Sequence, residues 1–182
     1  SNPKCLKNCN QEHRKNISVE DLCTCTRSVT DTLPIRCVGE WAEEKIYLLS
    51  QYFGIFATGM KNKWSEINYI EICSGPGRCI NRNAGIELDG TSLMIMKHPA
   101  FQYIHKALFF DYNTNVVNIL NQRIDILKNQ KAKAYQGDYN KPNDLCNIIT
   151  SNCSPYSLNL ILIDPTDCSV PFELLIKLKS LF

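Results

Sequence analysis

With 182 residues, 44% of them hydrophobic, the chain is long enough to bury the core of one domain with a small appendage. A formal net charge of +2 argues against a polyanion-binding protein. No apolar run reaches the length of a membrane span and no secretory signal is visible, so the expected residence is cytoplasmic.

Residues 1–38 are polar, carry no sustained helix or strand period, and read as a cysteine-rich N-terminal segment. Cys5, Cys9, Cys23 and Cys25 supply four thiols there, with His13 and Cys37 as spare ligands. Tetrahedral zinc would fold a segment too poor in apolar residues to fold alone. One residue between Cys23 and Cys25 is tighter than the usual pair spacing, so a docked tail with reduced thiols and an iron–sulfur cluster are the alternatives. The remaining cysteines Cys73, Cys79, Cys146, Cys153 and Cys168 are expected as small fillers in or beside ordered elements, since a chain of this size needs no disulfide staples.

The α/β domain is expected over 39–182. Ala42, Ile46, Leu49, Phe53, Phe56 and Met60 recur at four- and three-residue steps and predict a helix over 40–60. Glu40, Glu43 and Glu44 stand at its start and Lys61 and Lys63 just past its end, as the helix dipole prefers. Tyr69-Ile70-Glu71-Ile72 predicts a buried strand that runs into the turn Cys73-Ser74-Gly75-Pro76-Gly77-Arg78, where glycines let the backbone fold sharply and approach a ligand. Residues from Cys79 read as a loop, then as a short helix over 91–96 stopped by Pro99. Ala107 to Asp111 is a second strand, followed by a helix carrying Val116, Leu120, Ile124 and Leu127 with Asn113 or Thr114 as its cap. Ala134 to Asp138 is a weaker third strand. Leu145, Ile148 and Ile149 mark a helix, Leu158 to Asp164 a clear buried strand, and Pro171 opens a last helix with Leu174, Leu175, Leu178 and Leu181.

Strand and helix alternate throughout, which predicts a parallel sheet with covering helices and a ligand site at the carboxyl ends of its strands. Four strand ends meet there: Glu71 to Gly77, Asp111, Gly137-Asp138 and Asp164-Pro165. Three residues after Gly77 stands Ile80, so the dinucleotide spacing Gly-x-Gly-x-x-Gly is absent. A strand with a terminal carboxylate and a short glycine loop points instead to S-adenosylmethionine, as in class I methyltransferases. Asp111 is placed for two ribose hydroxyls and Asp138 for an adenine amine, although an aspartate after a strand also serves as a turn residue or helix cap. Asp164 and Pro165 lie on the substrate side as catalytic candidates. Thr166 and Asp167 stand where amino methyltransferases acting on bases carry a proline and an aromatic, so no stacking platform follows Pro165 and base methylation is not indicated.

The runs Val38 to Lys45, Thr58 to Trp64, Tyr69-Ile70-Glu71, Ser74 to Arg78, Gly137 to Asn140 and Ile163-Asp164-Pro165 resemble the three-Cys-motif partner proteins, over nearly all of the chain beyond residue 30. The resemblance implies a class I methyltransferase-like, Rossmann-like sheet in a bacterial, phage-associated setting and a partner carrying a three-cysteine motif. It implies cofactor contacts at Glu71, Ser74, Gly75, Gly77, Arg78, Asp111, Gly137 and Asp138. Glu71 replaces the family's usual aspartate, and Cys73-Ser74 its usual Phe-Ala. Four strands are predicted against a full complement of seven, so the sheet reads as C-terminally truncated, with an exposed apolar edge unless a partner covers it. Three functional readings follow: a methyltransferase of unknown acceptor, a non-catalytic assembly partner of the same shape, and a nucleic-acid binder using Lys61, Lys63 and the cluster from Lys128 to Lys133.

Overall fold

The computed structural model describes residues 22–23, 26–165 and 169–182. Its centre is a four-stranded sheet in which every pairing is parallel. The strands are β2 (Ile67–Ile72), β5 (Lys106–Asp111), β6 (Ala132–Gln136) and β7 (Leu158–Ile163), laid side by side as β6-β5-β2-β7. Taken in chain order this is 3-2-1-4, an order found in Rossmann-like doubly wound sheets, and its switch point falls between β2 and β7.

β2 is buried at all six positions because both its faces are covered. One face meets α1 (Trp41–Met60), α2 (Thr91–Lys97), a 3-10 turn (Pro99–Tyr103) and α3 (Thr114–Ile126). Phe53, Ile67, Tyr69, Ile95, Phe109 and Leu120 form the core on that side. Ile70, Ile72, Leu108 and Phe110 point the other way, against Leu145 and Ile149 of α4 (Pro142–Asn152) and Leu174 and Leu178 of α5 (Phe172–Lys179). The alternation along each strand therefore builds two cores that share one sheet.

The expected α/β architecture holds, with three local departures. Residues after Arg78, expected as a loop, form a hairpin of β3 (Arg78–Asn81) and β4 (Ile86–Asp89), which turns at Gly85 with φ +66°. Residues 36–38, expected to lie in a segment without strand periodicity, form β1 (Arg36–Val38), parallel to β3. The third strand of the main sheet begins two residues earlier than its pattern suggested, at Ala132. Its outer backbone is met by Asn121, whose side chain donates to Ala134 O and accepts from Ala134 N, each at 2.9 Å. That side-chain bridge supplies hydrogen bonds that a weak alanine-rich pattern does not advertise.

At the other edge β7 is half-buried along its whole length, and among the described residues no strand pairs with its outer side. Helix α1 carries two stripes. Ala42, Phe53 and Ala57 are buried on the sheet, whereas Trp41, Leu48, Tyr52 and Ile55 are exposed.

Gly137 follows β6 where no side chain fits. A Cβ there would lie 2.5 Å from Leu145 Cδ2 and 2.8 Å from Phe110 Cδ1. Gly137→Ala is expected to destabilise the fold by about 1–3 kcal/mol through overpacking. Urea unfolding measures it, and an unchanged midpoint would contradict this packing.

Candidate functional site

The glycine loop that leaves β2 is held in an unusual backbone path. Cys73, Gly75 and Gly77 have φ of +69°, +64° and +91°. Glycine adopts these angles freely, while Cys73 carries a Cβ into the left-handed region at a cost of about 1–2 kcal/mol. Four hydrogen bonds hold the loop. Ser74 N donates to Phe110 O at 2.9 Å, Gly75 N to Asp111 Oδ2 at 3.1 Å, Gly90 N to Gly77 O at 2.7 Å, and Arg123 Nη1 to Pro76 O at 2.6 Å.

The two loop glycines serve different purposes. A Cβ on Gly77 would press on Leu120 Cδ1 at 3.0 Å and Leu93 Cγ at 3.2 Å, so its smallness lets two helices close over the loop. A Cβ on Gly75 would face the Arg36 side chain at 3.5 Å, so bare backbone there is turned toward a flexible group. Just before Gly75 the Ser74 hydroxyl is buried with no hydrogen-bond partner in the protein. A buried polar atom of this kind normally has one, so Ser74 Oγ is suited to a ligand group.

Asp111 ends β5 beside this loop and is 5% exposed. Its Oδ2 accepts from Gly75 N and lies 3.9 Å from Arg36 Nη2, and its Oδ1 accepts from Asn113 N at 3.1 Å. These contacts orient the Asp111 carboxylate beside the loop. Glu71 lies deeper. It is fully buried, with Thr91 Oγ1 donating to one carboxylate oxygen and Tyr69 OH to the other at 3.0 Å. Burial pushes its pKa up to about 8, against the lowering effect of the two hydroxyls. Glu71 thus braces the start of α2 from beneath the loop.

Asp164 follows β7 across the switch point, its N–H donating to Ile72 O at 3.1 Å. Its Oδ2 receives the Lys45 ammonium at 2.5 Å, and Pro165 is next in the chain. Lys45 also stands over the Trp41 ring, 4.8 Å from its centroid, so helix α1 brings an aromatic face toward Asp164 that the residues after Pro165 lack. Gly137 N donates to Asp111 O at 3.0 Å, which joins the ends of β6 and β5. Asp138 Oδ1 accepts from Asn140 N at 2.9 Å and shapes the turn into α4.

Arg78, where the chain leaves the loop, is drawn into a charged network with β4 and the segment before β1. Its guanidinium contacts Glu87 at 2.9 Å, Asp89 at 3.3 Å and Asp31 at 3.5 Å. Arg123, only 2% exposed, grips Asp31 with Nε at 2.8 Å and Nη2 at 3.0 Å while its Nη1 holds the loop. Burial raises the Asp31 carboxyl, but bonds from Arg123, the Leu33 backbone and Ser28 outweigh it and bring the pKa below the ordinary value. Asp31 and Arg123 are 92 positions apart, and neither belongs to a recognisable motif, so the sequence reading missed both.

Of the proposed zinc ligands, Cys5, Cys9 and Cys25 lie outside the described residues, as does the filler Cys168. Cys23 is half-buried, with its N–H donating to Ile35 O at 2.7 Å. Among the described residues no group of three His, Cys, Asp or Glu side chains is placed to hold a metal, and no helix is long and apolar enough to cross a membrane. Cys79, Cys146 and Cys153 are buried fillers as expected, and Cys73 is half-buried.

No family model and no curated protein matches the chain, so the likeness to three-Cys-motif partners rests on its motifs alone. Among solved structures it is similar to a protein of Methanococcus maripaludis named as a candidate S-adenosyl-L-methionine-dependent methyltransferase. The identity is 18% and the TM-score 0.37, over 75% of this chain and 56% of that one. The chain therefore spans little more than half the length of that neighbour, and so distant a likeness lends no weight to a function.

Two outcomes follow from this geometry. Arg123→Met should cost about 3 kcal/mol in urea unfolding, with Arg123→Met/Asp31→Asn losing less than the sum of the single changes. Full additivity would mean that the pair is not coupled. For Glu71, the folded chain keeps the proton up to about 8 while the unfolded chain releases it near 4.5, so its contribution to stability declines as pH rises between those values. Glu71→Gln should flatten the urea midpoint between pH 5 and 8, and a profile parallel to wild type would refute the assignment.

Proposed function

We propose that this chain is a methyltransferase-like domain that binds S-adenosylmethionine at the switch point of its parallel sheet. The observation that carries the proposal is the meeting, at one strand-end loop, of the orphaned Ser74 hydroxyl and the bare Gly75 backbone with the oriented Asp111 carboxylate of the neighbouring strand. Their chemistry suits an adenosine whose ribose offers two hydroxyl donors and whose other polar groups need a donor or acceptor within reach. Asp111 holds the ribose in this reading, Ser74 and Gly75 line its approach, and Asp138 serves the adenine edge. Gly77, Gly137 and Glu71 support the site through packing and bracing. Arg78 secures the hairpin beside it.

When bound, S-adenosylmethionine supplies an electrophilic methyl group. The protein's own part is alignment, with Asp164 and Pro165 on the acceptor side and Asp164 able to take the acceptor's proton. The Lys45 ion pair keeps that carboxylate in place between turnovers.

A second reading, a non-catalytic assembly partner, is favoured by the apolar surface along β7. Trp41, Leu48, Tyr52 and Ile55 are exposed on one side of that edge, and Phe172, Leu175 and Ile176 of α5 are exposed as well. Such a surface suits a protein partner, for which the motif resemblance suggests a three-cysteine-motif protein. A zinc-bound cysteine segment and a cytoplasmic setting belong to the same proposal. Nucleic-acid binding draws less support, since Lys61 is engaged with Tyr103 and Lys131 with Gln102.

Calorimetry with S-adenosylmethionine and S-adenosylhomocysteine separates the two main readings. Wild type should bind both ligands, and Asp111→Asn should weaken them by roughly tenfold or more, about 1.4 kcal/mol. A folded wild type that binds neither would remove the cofactor reading and leave the assembly partner.

A further inference from the structure

Trp41, Lys45, Leu48 and Tyr52 recur at four-, three- and four-residue steps on α1, and with Leu162 and Thr91 they line an open cavity of about 510 Å³ beside the end of β7. Lys45 belongs to this lining, and its ammonium is held at the margin by Asp164, which lies just outside it. Lys45 Nζ donates to Asp164 Oδ2 at 2.5 Å and stands 4.8 Å from the Trp41 ring centroid. A carboxylate on one side and an aromatic face on the other are the two elements that recognise an alkylammonium, the first through charge-assisted N–H bonds and the second through the ring quadrupole. Glu44 is the acidic side chain of the lining itself, and Asp164 is reached through Lys45.

The remaining wall is apolar and accessible. Trp41, Leu48 and Tyr52 are 62%, 59% and 58% exposed, which is much uncovered apolar surface on one short stretch of helix. The Lys45 and Asp164 side chains are 35% and 31% exposed, so their bond is of the exchangeable surface kind. An incoming amine could take over the carboxylate and lay its carbon stem along Leu48 and Tyr52, while Lys45 turned out to water.

We propose that this cavity is a binding site for a primary alkylammonium carried on an apolar stem, with Lys45 as its internal occupant. Only the further step, that such an amine is the methyl acceptor, rests on the methyl-donor reading given above.

The test uses Lys45→Ala, in which the ammonium is removed, and Lys45→Met, which retains an apolar stem should the alanine variant fold poorly. Either variant is heated in n-butylammonium chloride, tetramethylammonium chloride or sodium chloride at equal ionic strength. The melting midpoint should rise saturably, by roughly 2–4 °C, in n-butylammonium alone, because tetramethylammonium has no N–H to donate. The rise should vanish when Asp164→Asn is added. Equal midpoints in the three salts, or the same rise without the Asp164 carboxylate, would overturn the proposal. The readout needs no methyl donor. A protein that shows the butylammonium effect but binds no S-adenosylmethionine keeps this site and loses the methyltransferase reading, and the reverse result keeps the reading and loses the site.

Discussion

The crevice depends on one buried cation. Arg123 sits on α3 with almost no solvent contact, and its guanidinium divides its donors between the Asp31 carboxylate and the Pro76 carbonyl. A guanidinium in such a place is tolerable only when both its charge and its N–H groups are answered, so its position leaves Asp31 and the glycine loop little freedom. The left-handed angle at Cys73 persists in that setting, where bonds to Ser74, Gly75 and Pro76 fix the loop from three directions. Asp31 brings the segment before β1 with it, and this places Arg36 against Asp111 and Gly75.

Above this anchor the sheet does the sorting. Neighbouring strands in parallel register present Glu71 and Asp111 at adjacent carboxyl ends, and Asp164 arrives from the opposite winding direction. The pleat then separates supporting and exposed positions. Glu71 falls beneath α2, where Thr91 and Tyr69 bond it. Asp111 falls at the loop, and Asp164 meets Lys45 of α1. Three carboxylates that look alike in the sequence thus receive three environments: one neutralised by burial, one oriented by backbone donors, and one balanced by a lysine.

The α/β order was legible because its signals are local. The stripe from Ala42 to Met60, the apolar runs of β2, β5 and β7 and the Asn113 cap can each be read within a few residues, and each forms as read. The hairpin escaped notice because strands of four residues with Arg78, Asn81, Glu87 and Asp89 among them are stabilised by cross-strand charge pairing that no hydrophobic period reveals. At the site, Asp111 and Ser74 could be named from a strand end and a loop. Arg36, which meets Asp111, and Arg123, which holds the Pro76 carbonyl, could not, because each reaches the loop only through long-range packing. The same limit applies to role: sequence placed Gly75 and Gly77 in one motif, and only their surroundings distinguish the one that faces the crevice from the one that makes room for Leu93 and Leu120.

The hairpin begins and ends at almost one point, since Gly90 donates back to Gly77 and a Cβ on Gly90 would crowd that carbonyl oxygen at 3.1 Å. In the path from β2 to α2 it is a detour whose entrance and exit are stitched together. Its length and tip can therefore diverge, or be grafted from elsewhere, without altering how the main sheet is wound. Arg78 and Glu87 tie the detour to Ser28 and Asp31, so it would have to be exchanged together with the strand that precedes α1. The tip of the hairpin is thus the part free to vary at the rim of the crevice, while its base is bound to the same Asp31 that answers Arg123.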